Sequence, residues 1–242
     1  MRIISYNLWG RFGPYLERWP IAARELKKAK PDILCMQEAA HEPSLDLVAR
    51  EAGMDILISD QGGTGLAVLS RLASRSNKLI EYKTRSPSEN YIRKFQAVRI
   101  EDGKEKFLLL NTHLSWKAPD EASRVGQTAE LAEYLKGEKL PRLLCGDFNC
   151  EYGSKPMEVL RKDYRDLMAG MPDETKPSWD NANPFIQAHN EKFADRRIDL
   201  ILADAAFVKK HPLKKAFIAF KERDPKSGLH PSDHYGIIAD FK

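Results

Sequence analysis

The chain has 242 residues, 42% hydrophobic and 31% charged, with 39 Lys and Arg, 35 Asp and Glu, and a formal net charge of +4. This composition is too apolar for a disordered segment and too weakly basic for a protein that coats nucleic acid by charge alone, while an anionic substrate stays compatible. The length suits one domain, residues 1–242, with a sizeable core.

Residues 2–6 (RIISY) predict a strand, which begins too early to leave room for a secretory leader. A helical pattern over 17–29 stops before Pro31, because a proline disfavours helix in the residue ahead of it. Residues 33–36 predict a short buried strand, 44–52 a second amphipathic helix, and 66–69 a strand preceded by QGGTG. That glycine run lacks the lysine of a phosphate-binding loop and predicts a turn.

Residues 94–100 and 106–112 flank Asp102-Gly103, a hairpin signal that makes this part of the sheet antiparallel. Residues 120–136 carry the clearest helical pattern, with Asp120 as cap, Val125, Ala129, Ala132 and Leu135 on one face, and Gly137 at the end. A strand at 142–145 runs into Gly146-Asp147, and Ser154 is expected to cap a short helix with Pro156 in its first turn. Residues 170–195 are long, rich in Pro and Asn, and without clear periodicity, as functional or mobile loops are. Strands follow at 198–202, 216–220 and 235–241. Hairpins mixed with helical crossovers predict an α/β domain with mixed sheets and helices on the outer faces.

No apolar run approaches the ~18 residues of a membrane helix. The odd cysteine count (Cys35, Cys145 and Cys150) and the absence of zinc spacing predict reduced, mostly buried thiols and a cytoplasmic protein.

Polar residues cluster where the predicted strands end: Asn7 after the first, Glu38 after the second, His113 after the hairpin, and Asp147 with Asn149 after 142–145. Asp199 sits within Arg196-Arg197-Ile198-Asp199 at the start of the strand at 198–202, and Asp233-His234 precedes the last one. Hydrolysing a phosphoester with water needs a hard cation to neutralise charge, an acceptor to aim the water in line, and donors for the non-bridging oxygens. Mg²⁺ binds oxygen and keeps several waters, so few carboxylates suffice. Glu38 is the first candidate ligand, with the Asn7 amide oxygen and the Asp233 carboxylate beside it. Asp147 and Asn149, two apart in an extended segment, would face the same way and present a carboxylate to water and an amide N–H to phosphate. A carboxylate such as Asp199 near His234 would fix its tautomer and favour the imidazolium. His113 would donate to the phosphate or the leaving group.

Each residue alone also fits a plainer role. Asn7 fits a turn, Glu38 a solvated loop acid, and the histidines satisfied structural groups. Asp147-x-Asn149 fits an Asx-turn, and Asp199 an ion pair with Arg196 or Arg197. Their joint occurrence in one chain favours the catalytic reading.

The segments ISYNLWG, MQEA, GLAVLSR, NTHL, GDFN, RRIDLIL and SDHYG, in this order over nearly the whole chain, resemble the endonuclease/exonuclease/phosphatase superfamily, the DNase I-like fold. The resemblance implies a four-layered α/β/β/α sandwich of two packed mixed sheets and a Mg²⁺- or Mn²⁺-dependent phosphoester hydrolase. It puts Asn7 and Glu38 on metal positions, with Asp233 at or near the metal. It puts Asp147 and Asn149 on the water-orienting and phosphate-holding positions, and Asp199 and His234 on a paired Asp–His. His113 matches the histidine of the DNase I-like and sphingomyelinase-like branches. The run SRVGQTAELAEYL and Asn183-Pro184-Phe185 are similar to neutral sphingomyelinases, and SWDNANP at 178–184 to tyrosyl-DNA phosphodiesterases. Apurinic endonucleases differ, with tyrosine at the position of His113 and an acid soon after the first Asn, where this chain has Leu8-Trp9.

The implied partner is a phosphoester, either nucleic acid or a phospholipid or small-molecule head group, with no obligate protein partner. Arg93 is a candidate phosphate contact, and Trp179 a candidate stacking surface for a base or other flat group. The rival from another class is a binding module on the same scaffold that no longer catalyses.

Overall fold

The computed structural model describes residues 1–39, 44–60, 63–189 and 192–242. Gln61 and Gly62 of the predicted turn, and Asn190 and Glu191 of the predicted long loop, lie outside the described residues. In chain order the strands are β1 (Arg2–Asn7), β2 (Ile33–Gln37), β3 (Asp55–Ser59), β4 (Ala67–Ser70), β5 (Ala73–Glu81), β6 (Lys94–Asp102), β7 (Glu105–His113), β8 (Arg142–Asp147), β9 (Tyr164–Asp166), β10 (Asp199–Asp204), β11 (Leu213–Ala219) and β12 (Gly236–Phe241). The α-helices are α1 (Tyr15–Ala29), α2 (Ser44–Ala52), α3 (Glu121–Leu135) and α4 (Ala205–Lys210).

The strands form two six-stranded sheets, ordered β11-β12-β1-β2-β4-β3 and β5-β6-β7-β8-β10-β9. Each contains one parallel pair, β1 with β2 and β7 with β8, among antiparallel neighbours. Successive strand residues point to opposite faces, and the burial follows that alternation. Ile3, Ile33, Val68 and Ile237 from the first sheet meet Val98, Leu109, Leu143 and Ile201 from the second in the central core. Ile4, Leu34 and Leu69 face the other way, onto Trp19 and Leu26 of α1 and Val48 of α2. Leu108, Leu110, Leu144 and Leu200 pack under Leu131 and Leu135 of α3. Helix, sheet, sheet, helix is the layering expected from the sequence, and the sheets are mixed as expected.

The structure adds elements that the sequence reading passed over. β5 is an edge strand, largely exposed, and its sequence ASRSNKLIE carries little apolar signal. β3 and β9 are short edge strands of the two sheets.

Two predicted caps are not formed. The Asp120 side chain makes no capping bond to α3; it accepts instead from the Ser86 hydroxyl at 2.6 Å, tying the loop after β5 to the start of the helix. Ser154 donates to the Glu151 carbonyl rather than capping the 3₁₀ turn Lys155–Met157.

Candidate functional site

The pairing registers bring the polar strand ends together. His113 is in register with Asp147 across the parallel β7–β8 pair, and Asp147 with Asp199 across the antiparallel β8–β10 pair. Three adjacent strand ends of the second sheet therefore carry His113, Asp147 and Asp199 side by side. The first sheet supplies Asn7 at the end of β1 and Glu38 just past β2. Two glycines make the close approaches possible. A Cβ on Gly146 would stand 2.2 Å from the Thr112 carbonyl oxygen of β7. Gly65 sits at φ +73° with its missing Cβ 2.8 Å from the Glu38 Cα, so this glycine lets the chain pack directly against Glu38's backbone.

Asn7 Nδ2 donates to Glu38 Oε1 and to Asp147 Oδ2, both at 3.0 Å, while Asn7 Oδ1 accepts from Trp9 N–H at 2.9 Å. The expected amide oxygen is thus taken by the backbone, and Asn7 meets the acids as a donor. Asn149 also departs from expectation. It is not extended but sits at φ +51°, its N–H bonded to Asp147 Oδ1 at 2.9 Å, and its Nδ2 donates to the Leu114 carbonyl. The Asx-turn is the local geometry, and it fixes the Asp147 carboxylate.

His234 Nδ1 lies 2.8 Å from Asp199 Oδ2, so Asp199 pairs with the imidazole rather than with Arg196 or Arg197. Arg197 pairs instead with Asp166. Around Asp147 Oδ2, His113 Nε2 is at 3.4 Å and His234 Nε2 at 3.8 Å. Burial acts against charge on His234, but Asp199, Asp233 and Asp147 override it and hold the imidazole well above its ordinary pKa. His113 goes the other way: burial, then Arg93, hold it well below. Burial and the neighbouring Asp199 push the Asp147 carboxyl up to about 7. The site therefore pairs a charged and a neutral imidazole about one buried carboxylate.

Atoms of Asp147, Asp199 and His234 also converge within 4.8 Å, a spacing that a cation could span. The His234 Nδ1–Asp199 Oδ2 bond at 2.8 Å, with Nε2 3.8 Å from Asp147 Oδ2, also suits this trio to a proton relay. Glu38 fits a cation site on its own chemistry. Burial and Asp233 raise its carboxyl above the usual range, and it borders the open cavity. Asp233 borders the same cavity, with Oδ2 at 2.9 Å from His189 Nε2 and Oδ1 accepting from the Ser232 hydroxyl. Two carboxylates on one cavity, with amide and imidazole donors and, among the described residues, no Lys or Arg bonded to either, make an oxygen donor set that suits Mg²⁺ or Mn²⁺.

Both predicted substrate contacts, Arg93 and Trp179, line the cavity. Arg93 borders the cavity, but a buried two-pronged pair with Glu89, at 3.0 and 2.7 Å, consumes its charge. Trp179 is buried, edge-on to His234 at 5.2 Å between ring centroids, so it packs the site together. A cavity of about 500 Å³ opens over the carboxylates, lined also by Trp9, Trp116, His189 and Arg196.

The sequence reading missed the residues that hold this assembly. Buried Arg18 donates to the carbonyls of Leu8, Trp9, Gly10, Phe12 and Pro231, clamping the loop after β1 onto the segment before Asp233. Ser178 Oγ accepts from the N–H groups of Ile198 and Asp199, and its carbonyl accepts from Tyr235. Asn183 Nδ2 donates to the carbonyls of Ser232 and Asp233. The long predicted loop thus staples the Asp–His pair. Its Asn-rich composition carried a hint of capping and turn chemistry, but nothing in it said which backbone groups would be caught.

Residues 4–234 match the Endonuclease/Exonuclease/phosphatase family. Nocturnin from Rattus norvegicus and from Mus musculus is 23% identical over 256 residues, covering 93% of this chain. The chain spans 58% of the length of those relatives. Among solved structures, truncated Caenorhabditis elegans TDP2 superposes with a TM-score of 0.81 at 22% identity, over 99% of this chain and 96% of that one. D. rerio TDP2 complexed with single strand DNA product gives 0.83 at 17%, over 100% and 98%. A mannosyl-6-phosphatase of Bacteroides thetaiotaomicron gives 0.75 at 17%, over 100% and 99%. These likenesses show the fold.

Proposed function

The chain belongs to the endonuclease/exonuclease/phosphatase family, and on that premise we propose that it is a Mg²⁺- or Mn²⁺-dependent phosphodiesterase. The observation that carries this reading is Asp147, a buried carboxylate whose Oδ2 has the Nε2 of His113 at 3.4 Å and that of His234 at 3.8 Å. Asp147 orients a water for in-line attack and takes its proton. His234, kept charged by Asp199, donates to the phosphoryl oxygens, and neutral His113 donates toward the leaving group. Asn7 holds Asp147 and Glu38 in place, and Asn149 fixes the second oxygen of Asp147. Glu38 and Asp233 would hold the cation, which would neutralise charge on the phosphoryl group and polarise it.

A binding module without catalysis has no use for the Asp199–His234 pair behind Asp147, which favours the hydrolase. The substrate is nucleic acid or a phospholipid or small-molecule head group. TDP2 of D. rerio with its DNA product and a sugar phosphatase, both on this fold, mark the two directions. The test is product release from plasmid DNA, single-stranded DNA and RNA, bis-p-nitrophenyl phosphate, p-nitrophenyl phosphate and sphingomyelin under Mg²⁺ and Mn²⁺. The Asp147→Asn variant is the blank. Wild-type turnover that the variant lacks supports the reading, and equal turnover in both sinks it. A nucleic-acid substrate adds binding that falls steeply with salt, because phosphate contacts release counterions.

A further inference from the structure

The cavity is lined by acids: Glu38, Asp147 and Asp233 border it, and Asp199 stands behind. An anionic substrate entering it needs a fixed cation. Two arginines line the cavity, and they are not equivalent. Arg93 is neutralised by Glu89, which also accepts from Ser115 Oγ and Trp116 N–H. Arg196 has no ion pair among the described residues, and its Nε is buried without a hydrogen-bond partner. Its guanidinium lies 3.7 Å from the centroid of the Phe193 ring, a stacked arrangement that leaves the N–H edge free. Its backbone is held as well, with N–H and carbonyl both bonded to Trp179, at 3.1 and 3.0 Å. A planar, always charged, preoriented donor edge with no acid of its own suits two-pronged capture of a phosphate.

We propose that Arg196, stacked on Phe193, is a phosphate-binding residue that captures the non-bridging oxygens of the substrate's reacting phosphoryl group. This rests on the phosphoesterase reading of the same pocket. It moves the arginine contact from Arg93, where the sequence placed it, to Arg196. Of the two arginines that line the cavity, Arg196 is the one that, among the described residues, no ion pair neutralises.

The experiment is calorimetric titration of inorganic phosphate into the full chain with Mg²⁺ present, followed by KM and kcat on bis-p-nitrophenyl phosphate. The proteins are wild type, Arg196→Gln, Arg196→Lys and Lys192→Gln. Lys192 is a nearby lysine whose ammonium donates to the Gln187 carbonyl and that does not line the cavity, so it reports generic charge. Arg196→Gln is expected to weaken phosphate binding and raise KM by on the order of tenfold or more, as loss of a charged hydrogen bond does. Arg196→Lys should recover part of both, and Lys192→Gln should leave both unchanged. Wild-type phosphate affinity in Arg196→Gln overturns the proposal, as does an equal loss in Lys192→Gln or no phosphate binding by wild type. Near-ultraviolet circular dichroism confirms that each variant is folded. Failure of wild type to turn over any ester, with phosphate binding that still depends on Arg196, counts against the hydrolase reading alone.

Discussion

One amide nitrogen, Asn7 Nδ2, reaches Asp147 Oδ2 at 3.0 Å from across the interface between the sheets. Asn7 ends β1 in one sheet and Asp147 ends β8 in the other, so the bond ties the open ends of both. The same nitrogen reaches Glu38, so one side chain sets the spacing between the acid assigned to the water and the acid assigned to the cation.

Asp147→Asn keeps the shape and the acceptor oxygen for Asn149 but removes the base. Turnover should fall by roughly 10²- to 10⁴-fold, the usual contribution of a positioned base. The folded structure should persist, because the Asn149 N–H bond and the strand registers around residue 147 do not depend on its charge; the one bond given up is that from Asn7 Nδ2, which then faces an NH₂ group. Steady-state kinetics and near-ultraviolet circular dichroism on one preparation separate the two effects. Retained activity would remove Asp147 from the mechanism.

Glu38→Gln should act through the cation. The variant keeps an oxygen toward Asn7 but loses the charge that suits a hard divalent ion. The Mg²⁺ concentration for half-maximal activity should rise by about tenfold or more, the scale on which lost metal-site partners act. EDTA should abolish wild-type activity, and added Mg²⁺ or Mn²⁺ should restore it. An unchanged Mg²⁺ profile in the variant would place the cation elsewhere.

What the sequence made legible follows from where its information is local. The alternation of Ile3 and Ile4, or of Leu108, Leu109 and Leu110, assigns inner and outer faces without any knowledge of partners. The strand-end acids and imidazoles were found because each follows or precedes an apolar run. The misses depend on tertiary contact. Arg18 reads as a surface helix residue, yet it is fully buried on five backbone carbonyls. Arg93 and Arg196 look alike in sequence, and only the position of Glu89 shows which one is neutralised. β5 was passed over because an exposed edge strand needs no apolar stripe.

Ser178 tests whether the long loop is part of the machinery. It is fully buried, and its hydroxyl oxygen takes the N–H groups of Ile198 and Asp199, each at 3.1 Å. Ser178→Ala leaves two buried donors unmet, at a cost of about 1–3 kcal/mol for an unsatisfied buried group. Urea unfolding should show that loss. Turnover should fall as well, since Asp199 is no longer pinned beneath His234. The Mg²⁺ requirement should stay as in wild type, because Glu38 is untouched. A variant as stable and as active as wild type would make the staple incidental.

His211 gives a pH signature remote from the site. It packs against Phe107 and Phe207, with ring centroids 5.6 and 4.8 Å away, and its Nε2 is buried without a partner. Burial lowers its pKa below the ordinary 6.5, against the opposing pull of Asp102 and Glu105. The native ring therefore stays neutral where the unfolded chain already binds a proton. The stability this group contributes is fully present above pH 6.5 and is lost as pH falls from there through the lowered folded value. His211→Leu removes the proton-binding group while keeping an apolar filling for the site. Urea midpoints measured from pH 7.5 downward should fall more steeply for wild type than for the variant below about pH 6.5. Because all other titrating groups are shared, the difference between the two curves isolates His211. Parallel curves would mean that the ring takes up its proton in the native state as readily as in the unfolded chain.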